Sequence, residues 1–150
     1  MNQSSRRTPL YNLLKDRGGK MVPFAGYEMP LQFAGIKAEH HAVRNGAGLF
    51  DVGHMTEFWL EGKDALNNAH RLVTNDIAGL EDGQIAYSPM CLPSAGIVDD
   101  LLVYRYGEEK ILIVANAANH DKDLRHLQDH VTGEVALVDR SYQTGQLALQ

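Results

Sequence analysis

Hydrophobic and polar positions sort into regular patterns most clearly after residue 55. Residues 56–60 alternate as a strand, and Gly62 turns the chain. Residues 63–73 place Ala65, Leu66, Ala69, Leu72 and Val73 at helical spacing, which predicts an amphipathic helix. A strand is expected over 84–92, a turn at Pro93-Ser94-Ala95-Gly96, and a return strand over 97–106. After a turn at Glu108-Glu109, the apolar run 111–115 predicts a strand over 110–116. A second helix is expected over 117–130 and a last strand of this series over 134–139.

The resulting order, β-α-β-β-β-α-β, predicts an α+β fold: a ferredoxin-like split β-α-β sandwich with one added strand and both helices on one sheet face. Ahead of it, residues 8–16 read as a short helix with Thr8 as N-cap and Pro9 at its first position, closed by Gly18-Gly19. Residues 20–35 are rich in Gly, Pro and aromatics and start strand-like at Met21-Val22, with Gly26 and Pro30 breaking any long element. A helix over 36–47 carries Ile36, Ala42 and Val43 and is ended by Gly46 and Gly48. A further strand begins at 146–150. We therefore expect three parts: an opening segment over 1–55, the α+β unit over 56–139, and a return toward the first domain over 140–150. A strand starting at the last residues is expected of the N-terminal portion of a longer protein.

Against this pattern the run Ile97-Val98-Asp99-Asp100-Leu101-Leu102-Val103-Tyr104 stands out. Asp is disfavoured in strands, and desolvating an ionised carboxylate costs several kcal/mol. Strand alternation sends the two carboxylates to opposite faces. Asp100 falls with Val98, Leu102, Tyr104 and Tyr106, and Asp99 with Ile97, Leu101, Val103 and Arg105. Two readings of Asp100 stand: a partly desolvated carboxylate that handles a proton in a pocket, or a carboxylate held at a sheet end by backbone N–H groups or an Arg. For Asp99 a structural or rim role is expected. Tyr87 and Tyr104 either wall a flat aromatic ligand by stacking or are half-buried sheet tyrosines. The stretch Phe24-Ala25-Gly26-Tyr27-Glu28-Met29-Pro30 is either a binding loop or a packed Ω-loop.

Composition narrows the function classes. A hydrophobic share of 44% and a charged share of 22% are those of a globular protein, and 150 residues suffice for one ordinary domain or two small units. The net charge of −5 argues against a nucleic-acid binder. No run is long enough to span a bilayer, and the start of the chain has neither an apolar signal region nor the composition of a transit peptide. The single cysteine, Cys91, excludes an internal disulfide and fits a reducing compartment, so a cytoplasmic location is expected, or the mitochondrial matrix in a eukaryote. Cys91 itself reads as a small core residue. Seven histidines raise a metal site, but Glu39-His40-His41 cannot turn adjacent rings to one helix face. His126 and His130 share a polar helix face without a third ligand, so no metal is assigned. Nucleotide-binding glycine loops and a Gly-x-Ser-x-Gly elbow are absent from the sequence.

Several longer motifs carry a resemblance. They are Arg7-Thr8-Pro9-Leu10-Tyr11, Lys20-Met21-Val22-Pro23-Phe24-Ala25-Gly26-Tyr27-Glu28-Met29-Pro30, and Gly48-Leu49-Phe50-Asp51-Val52-Gly53-His54-Met55. Further on come Thr74-Asn75-Asp76, Gly96-Ile97-Val98-Asp99-Asp100-Leu101, Val114-Ala115-Asn116-Ala117-Ala118-Asn119 and Lys122-Asp123. In order and along essentially the whole chain, they resemble the N-terminal portion of the glycine cleavage system T protein family, the tetrahydrofolate-dependent aminomethyltransferases.

The resemblance implies a part of a larger three-domain folate-binding fold. It implies transfer of an aminomethyl carbon from the lipoyl arm of H protein to tetrahydrofolate, with release of ammonia. It places the catalytic role on Asp100 and folate contacts on Met55, Tyr87, Leu102, Tyr104 and Asn116. The sequence departs from the family pattern at Gly53, where Ser is usual, at Ala95-Gly96, where Gly-Gly is usual, and at Pro93. The family's pterin-anchoring Glu and Arg residues fall beyond Gln150, so the chain alone is expected to have little or no activity. Two other readings are a folate-binding relative without transfer activity and a non-catalytic remnant.

Overall fold

The computed structural model describes residues 5–150, which form two compact units: the stretch up to His54 together with Gln143–Gln150, and Met55–Tyr142. In the first unit, α1 (Tyr11–Asp16) starts later than its sequence suggests. Thr8 does not cap it with its side chain. The Thr8 hydroxyl instead donates to Asp51 Oδ2 at 2.6 Å, while its carbonyl accepts the Tyr11 N–H at 3.1 Å. A hydrogen bond to a carboxylate is charge-assisted and strong, and it orients the hydroxyl toward Asp51.

The glycine- and aromatic-rich stretch is a tight hairpin of β1 (Met21–Phe24) and β2 (Tyr27–Pro30). Its two turn residues, Ala25 and Gly26, both have positive φ, 48° and 82°, the requirement of the hairpin turn whose twist matches the strands. Next, α2 (Ile36–Asn45) ends two residues short of the predicted end, with Gly46 as its C-cap. Its start is fastened by Glu39, whose Oε1 accepts the N–H groups of Phe33 and Gly35 at 2.7 and 2.9 Å. The three-residue β3 (Leu49–Asp51) pairs antiparallel with the chain's final strand, Leu147–Leu149.

The second unit holds β4 (Thr56–Glu61), α3 (Ala65–Leu72), β5 (Ile85–Cys91), β6 (Ile97–Gly107), β7 (Lys110–Ala115), α4 (His120–His130) and β8 (Ala136–Asp139). The first turn of the predicted second helix is a separate 3₁₀ turn, Ala117–Asn119. The five strands form one antiparallel sheet in the order β5-β6-β7-β4-β8. Without the outer strand β5 the unit reads β-α-β-β-α-β, so the added strand lies at the sheet edge. Both helices pack on one face. Ala65, Ala69 and Leu72 of α3 and Leu127 of α4 join Phe58, Leu60, Leu101, Val103, Ile111 and Ile113 in a single core. Each fully buried Ile or Leu contributes about 1.5–3 kcal/mol, so truncating Ile113 to Ala should cost about 2–5 kcal/mol.

One irregularity matters for the site. Met90 pairs with Asp99 but Cys91 pairs with Ile97, which leaves Val98 as an extra residue in β6. This bulge takes Ile97 off the face it was expected to share with Asp99: Ile97 is exposed and Val98 packs against the core. Lys122 of α4 donates its ammonium to the Val98 carbonyl at the bulge.

Candidate active site

Asp100 lies on the sheet face turned away from the helices, opposite Pro89 of the edge strand. The Tyr87 hydroxyl, from the same edge strand, donates to Asp100 Oδ2. Tyr87 pairs across the ladder with Leu102, and Tyr104 pairs with Ile85. Four of the expected residues, Tyr87, Asp100, Leu102 and Tyr104, thus share one patch of sheet. Asn116, just past the end of β7, reaches the patch from its flank. Its Nδ2 donates to the Asp100 carbonyl at 3.0 Å and lies 3.4 Å from Asp100 Oδ1. Met55 is half-buried immediately ahead of β4, and since Thr56 pairs with Ala115 it stands at the same strand end as Asn116.

The patch is more open than the hydrophobic pattern implies. Asp100 is exposed, and Tyr87 is 62% exposed, while Leu102 and Tyr104 are half-buried. The expectation of a carboxylate desolvated by apolar neighbours is not met at Asp100. Hydrogen bonding to Asp100 raises the Tyr87 hydroxyl above its ordinary value, and burial raises that of Tyr104. Both phenols therefore stay protonated at neutral pH, and Tyr87 acts as a donor.

Desolvation falls instead on Asp99. It points to the helix side, is 5% exposed, and is neither a rim residue nor paired with Arg105, which bonds Asp82 and the carbonyls of Ala78 and Leu80. Asp99 accepts the Asn116 N–H at 3.3 Å, Asn116 Nδ2 at 2.9 Å and Asn119 Nδ2 at 2.9 Å. Burial pushes its carboxyl up, but hydrogen bonds from Asp123 and Asn116 outweigh burial and hold it below the usual carboxylate range. Asp123, in the first turn of α4, is wholly buried and faces Asp99. Burial, and then Asp99, push its carboxyl up to about 8.

Asp123 and Asn119 stand in two of the matched motifs, but the sequence alone gives neither a role. A usable signal existed for Asp123. It lies three residues after His120 and four before Leu127, on the stripe that α4 buries. Glu57 also escaped notice. It is 1% exposed, its carboxylate oxygens have no hydrogen-bond partner among the described residues, and burial with the nearby Asp139 pushes it up to about 8.

Other candidates lie apart from this patch. His126 and His130 stack with ring centroids 4.2 Å apart on α4. They line a cleft of about 350 Å³ with Arg71, Thr74 and Cys91, so Cys91 is a half-buried cleft residue and not a core one. Among the described residues no three His, Cys, Asp or Glu side chains are grouped to hold a metal ion. The Phe24 and Tyr27 rings lie edge-on to His54, Tyr27 buried and Phe24 exposed, so the stretch is a hairpin with one ring packed and not an Ω-loop.

Comparison with known proteins decides the family. The GCVT N-terminal domain model matches residues 10–150. The chain belongs to this family. It is similar to the aminomethyltransferase of Shouchella clausii, 55% identical over 144 residues that make up 96% of this chain and 39% of that protein. The aminomethyltransferase of Bacillus subtilis is 49% identical over 145 residues, 97% of this chain and 40% of that protein. The chain thus spans about two fifths of the length of these relatives. The crystal structure of glycine cleavage system aminomethyltransferase T from Bartonella henselae superposes with a TM-score of 0.90 at 37% identity, over 98% of this chain and 41% of that one. The GCVT-domain fold is α+β, as the order of elements predicts. Among the described residues no helix is long and apolar enough to cross a membrane.

Proposed function

We propose that this GCVT domain carries the aspartate side of a folate site for aminomethyl transfer in glycine cleavage. In this reading the whole protein moves the aminomethyl carbon from the lipoyl arm of H protein to tetrahydrofolate and releases ammonia. The observation that carries it is the hydrogen bonding of Asp100 to Tyr87 and Asn116 on an aromatic patch, in a chain whose relatives are aminomethyltransferases. A single exposed carboxylate beside two tyrosines and a leucine suits a flat, polar-edged ring system better than a metal or a phosphate.

Tetrahydrofolate supplies the amine nitrogen that takes up the one-carbon unit. The residues of the chain do the rest. Tyr87 and Asn116 hold the Asp100 carboxylate in one orientation, which removes the cost of positioning it during the reaction. Asp100 is left with lone pairs free to accept a hydrogen bond from a ring nitrogen and to stabilise positive charge as it develops there. Tyr104, Leu102 and Met55 offer apolar surface to the rest of the ligand. Cys91, with no second cysteine to pair with, supports a reducing, cytoplasmic setting.

The test joins this chain to the remainder of the Bacillus subtilis relative and supplies aminomethyl-loaded H protein and tetrahydrofolate. Ammonia release and methylene-tetrahydrofolate formation are expected, with Asp100→Asn reducing turnover at least 100-fold. Turnover unchanged by that substitution removes Asp100 from the chemistry. Folate binding without turnover by the unsubstituted chimera would instead make the domain a folate-binding relative.

A further inference from the structure

We propose that Asp123 and Asp99 share one proton inside the second unit, and that this proton, acting through Asn116, sets the position of Asp100. Asp123 would then be a positioning residue that touches no substrate. Both carboxyl groups are buried, one 5% and the other 0% exposed, and each lies within hydrogen-bonding reach of the other. Two ionised carboxylates at such a site repel strongly, so one of them must hold a proton. The hydrogen-bond pattern identifies which one. Asp99 accepts from three amide donors, two from Asn116 and one from Asn119, as an anion would. No N–H or hydroxyl reaches either oxygen of Asp123 among the described residues, so Asp123 is the acid and donates to Asp99.

The ionisable groups that act on Asp123 are Asp99 from β6 and Lys122 from its own helix. The segment after β7 adds only the non-titrating amides Asn116 and Asn119. Lys122 does not make Asp123 an anion: its ammonium is 4.0 Å away, half exposed, and already bonded to the Val98 carbonyl. The proton therefore anchors a chain of contacts that runs from Asp123 to Asp99, from Asp99 to Asn116 Nδ2, and from Nδ2 to Asp100. Removing it sets two anions against each other and withdraws the fixed acceptor on which Asn116 rests. The link to Asp100 rests on the proposed folate reading, but the shared proton does not.

The deciding experiment is an NMR titration of the 150-residue chain with labelled Asp carboxyl carbons and Asn side-chain amides. One Asp is expected to titrate near pH 8, and its signal should be absent in Asp123→Asn. The Asn116 amide resonances should move with the same midpoint in the unsubstituted chain and be independent of pH in the variant. A chain in which no Asp titrates above pH 6, or in which the Asn116 amide stays still throughout, overturns the proposal, and neither result depends on the variant folding. Tetrahydrofolate binding by the chimera with the remainder of the Bacillus subtilis relative, read by fluorescence over the same range, separates the two claims. Affinity should fall about tenfold as pH rises through 8. Absent binding at every pH alongside the expected titration defeats the folate reading and leaves the shared proton standing. Binding that is flat in pH overturns the link to Asp100.

Discussion

Asn116 Nδ2 lies 2.9 Å from Asp99 Oδ1 and 3.0 Å from the Asp100 carbonyl oxygen, so a single side-chain amide ties together the two faces of β6. Replacing Asn116 with Ala removes these bonds and leaves the buried Asp99 with fewer donors. The backbone N–H of residue 116 would remain. Loss of a charge-assisted bond to a buried carboxylate costs about 1.5–3 kcal/mol. Urea unfolding of Asn116→Ala should therefore show a lower midpoint with an unchanged slope. An unaltered midpoint would mean that water replaces the amide.

Tyr87 presents the opposite balance. Its hydroxyl bonds Asp100, yet both side chains are exposed. Exposed polar contacts change stability by at most about 0.5 kcal/mol, so Tyr87→Phe should melt like the unsubstituted chain. Its effect should appear in tetrahydrofolate affinity, which we expect to weaken several-fold because Asp100 loses its orienting donor. Equal affinity would show that Asn116 alone suffices to orient the carboxylate.

Most elements of the second unit could be read from alternation and helical spacing because each buries one continuous face. What the sequence hid is non-local or depends on one backbone angle. The pairing of β3 with Leu147–Leu149 joins segments about a hundred residues apart and has only three residue pairs to signal it. The β1–β2 hairpin turns on Ala25-Gly26, which lacks the Asn-Gly signature usual for that turn. For the site, alternation separated Asp99 from Asp100 correctly. It could not say which face the helices would cover, so both readings of Asp100 stayed open, and packing placed the desolvation on Asp99. The bulge at Val98 is invisible to a strict period of two, and it displaced Ile97 in the same way.

Ala95 occupies the hairpin between β5 and β6 at φ 67°, a backbone conformation that favours glycine. The left-handed region costs a non-glycine residue about 1–2 kcal/mol, partly offset by the greater freedom glycine gives the unfolded chain. Ala95→Gly should stabilise the chain by about 0.5–1 kcal/mol, a rise of a few degrees in Tm. A lower Tm would indicate that the Ala95 methyl makes a contact worth more than the strain.

Glu57 and Asp123 predict how stability depends on pH. Each carboxyl sits near its ordinary value in the unfolded chain and is pushed up to about 8 in the folded one, chiefly by burial. The folded state therefore binds more protons than the unfolded state between those limits. Their contribution is full below about pH 4 and declines as pH rises through 8, by at most about 1.4 kcal/mol per pH unit for each group. Asp99 and Asp139 act in the other direction. Hydrogen bonds, from Asp123 and Asn116 in one case and from Ser141 and His120 in the other, outweigh burial and lower both carboxyls, so their contribution is lost as pH falls into the acid range. Stability should therefore peak in the weakly acidic range and decline toward pH 8. Glu57→Gln cannot ionise at this site, so its urea midpoint should fall less steeply between pH 5 and 8 than that of the unsubstituted chain. Parallel curves for the two proteins would show that Glu57 is solvated in the folded chain and titrates as an ordinary carboxylate.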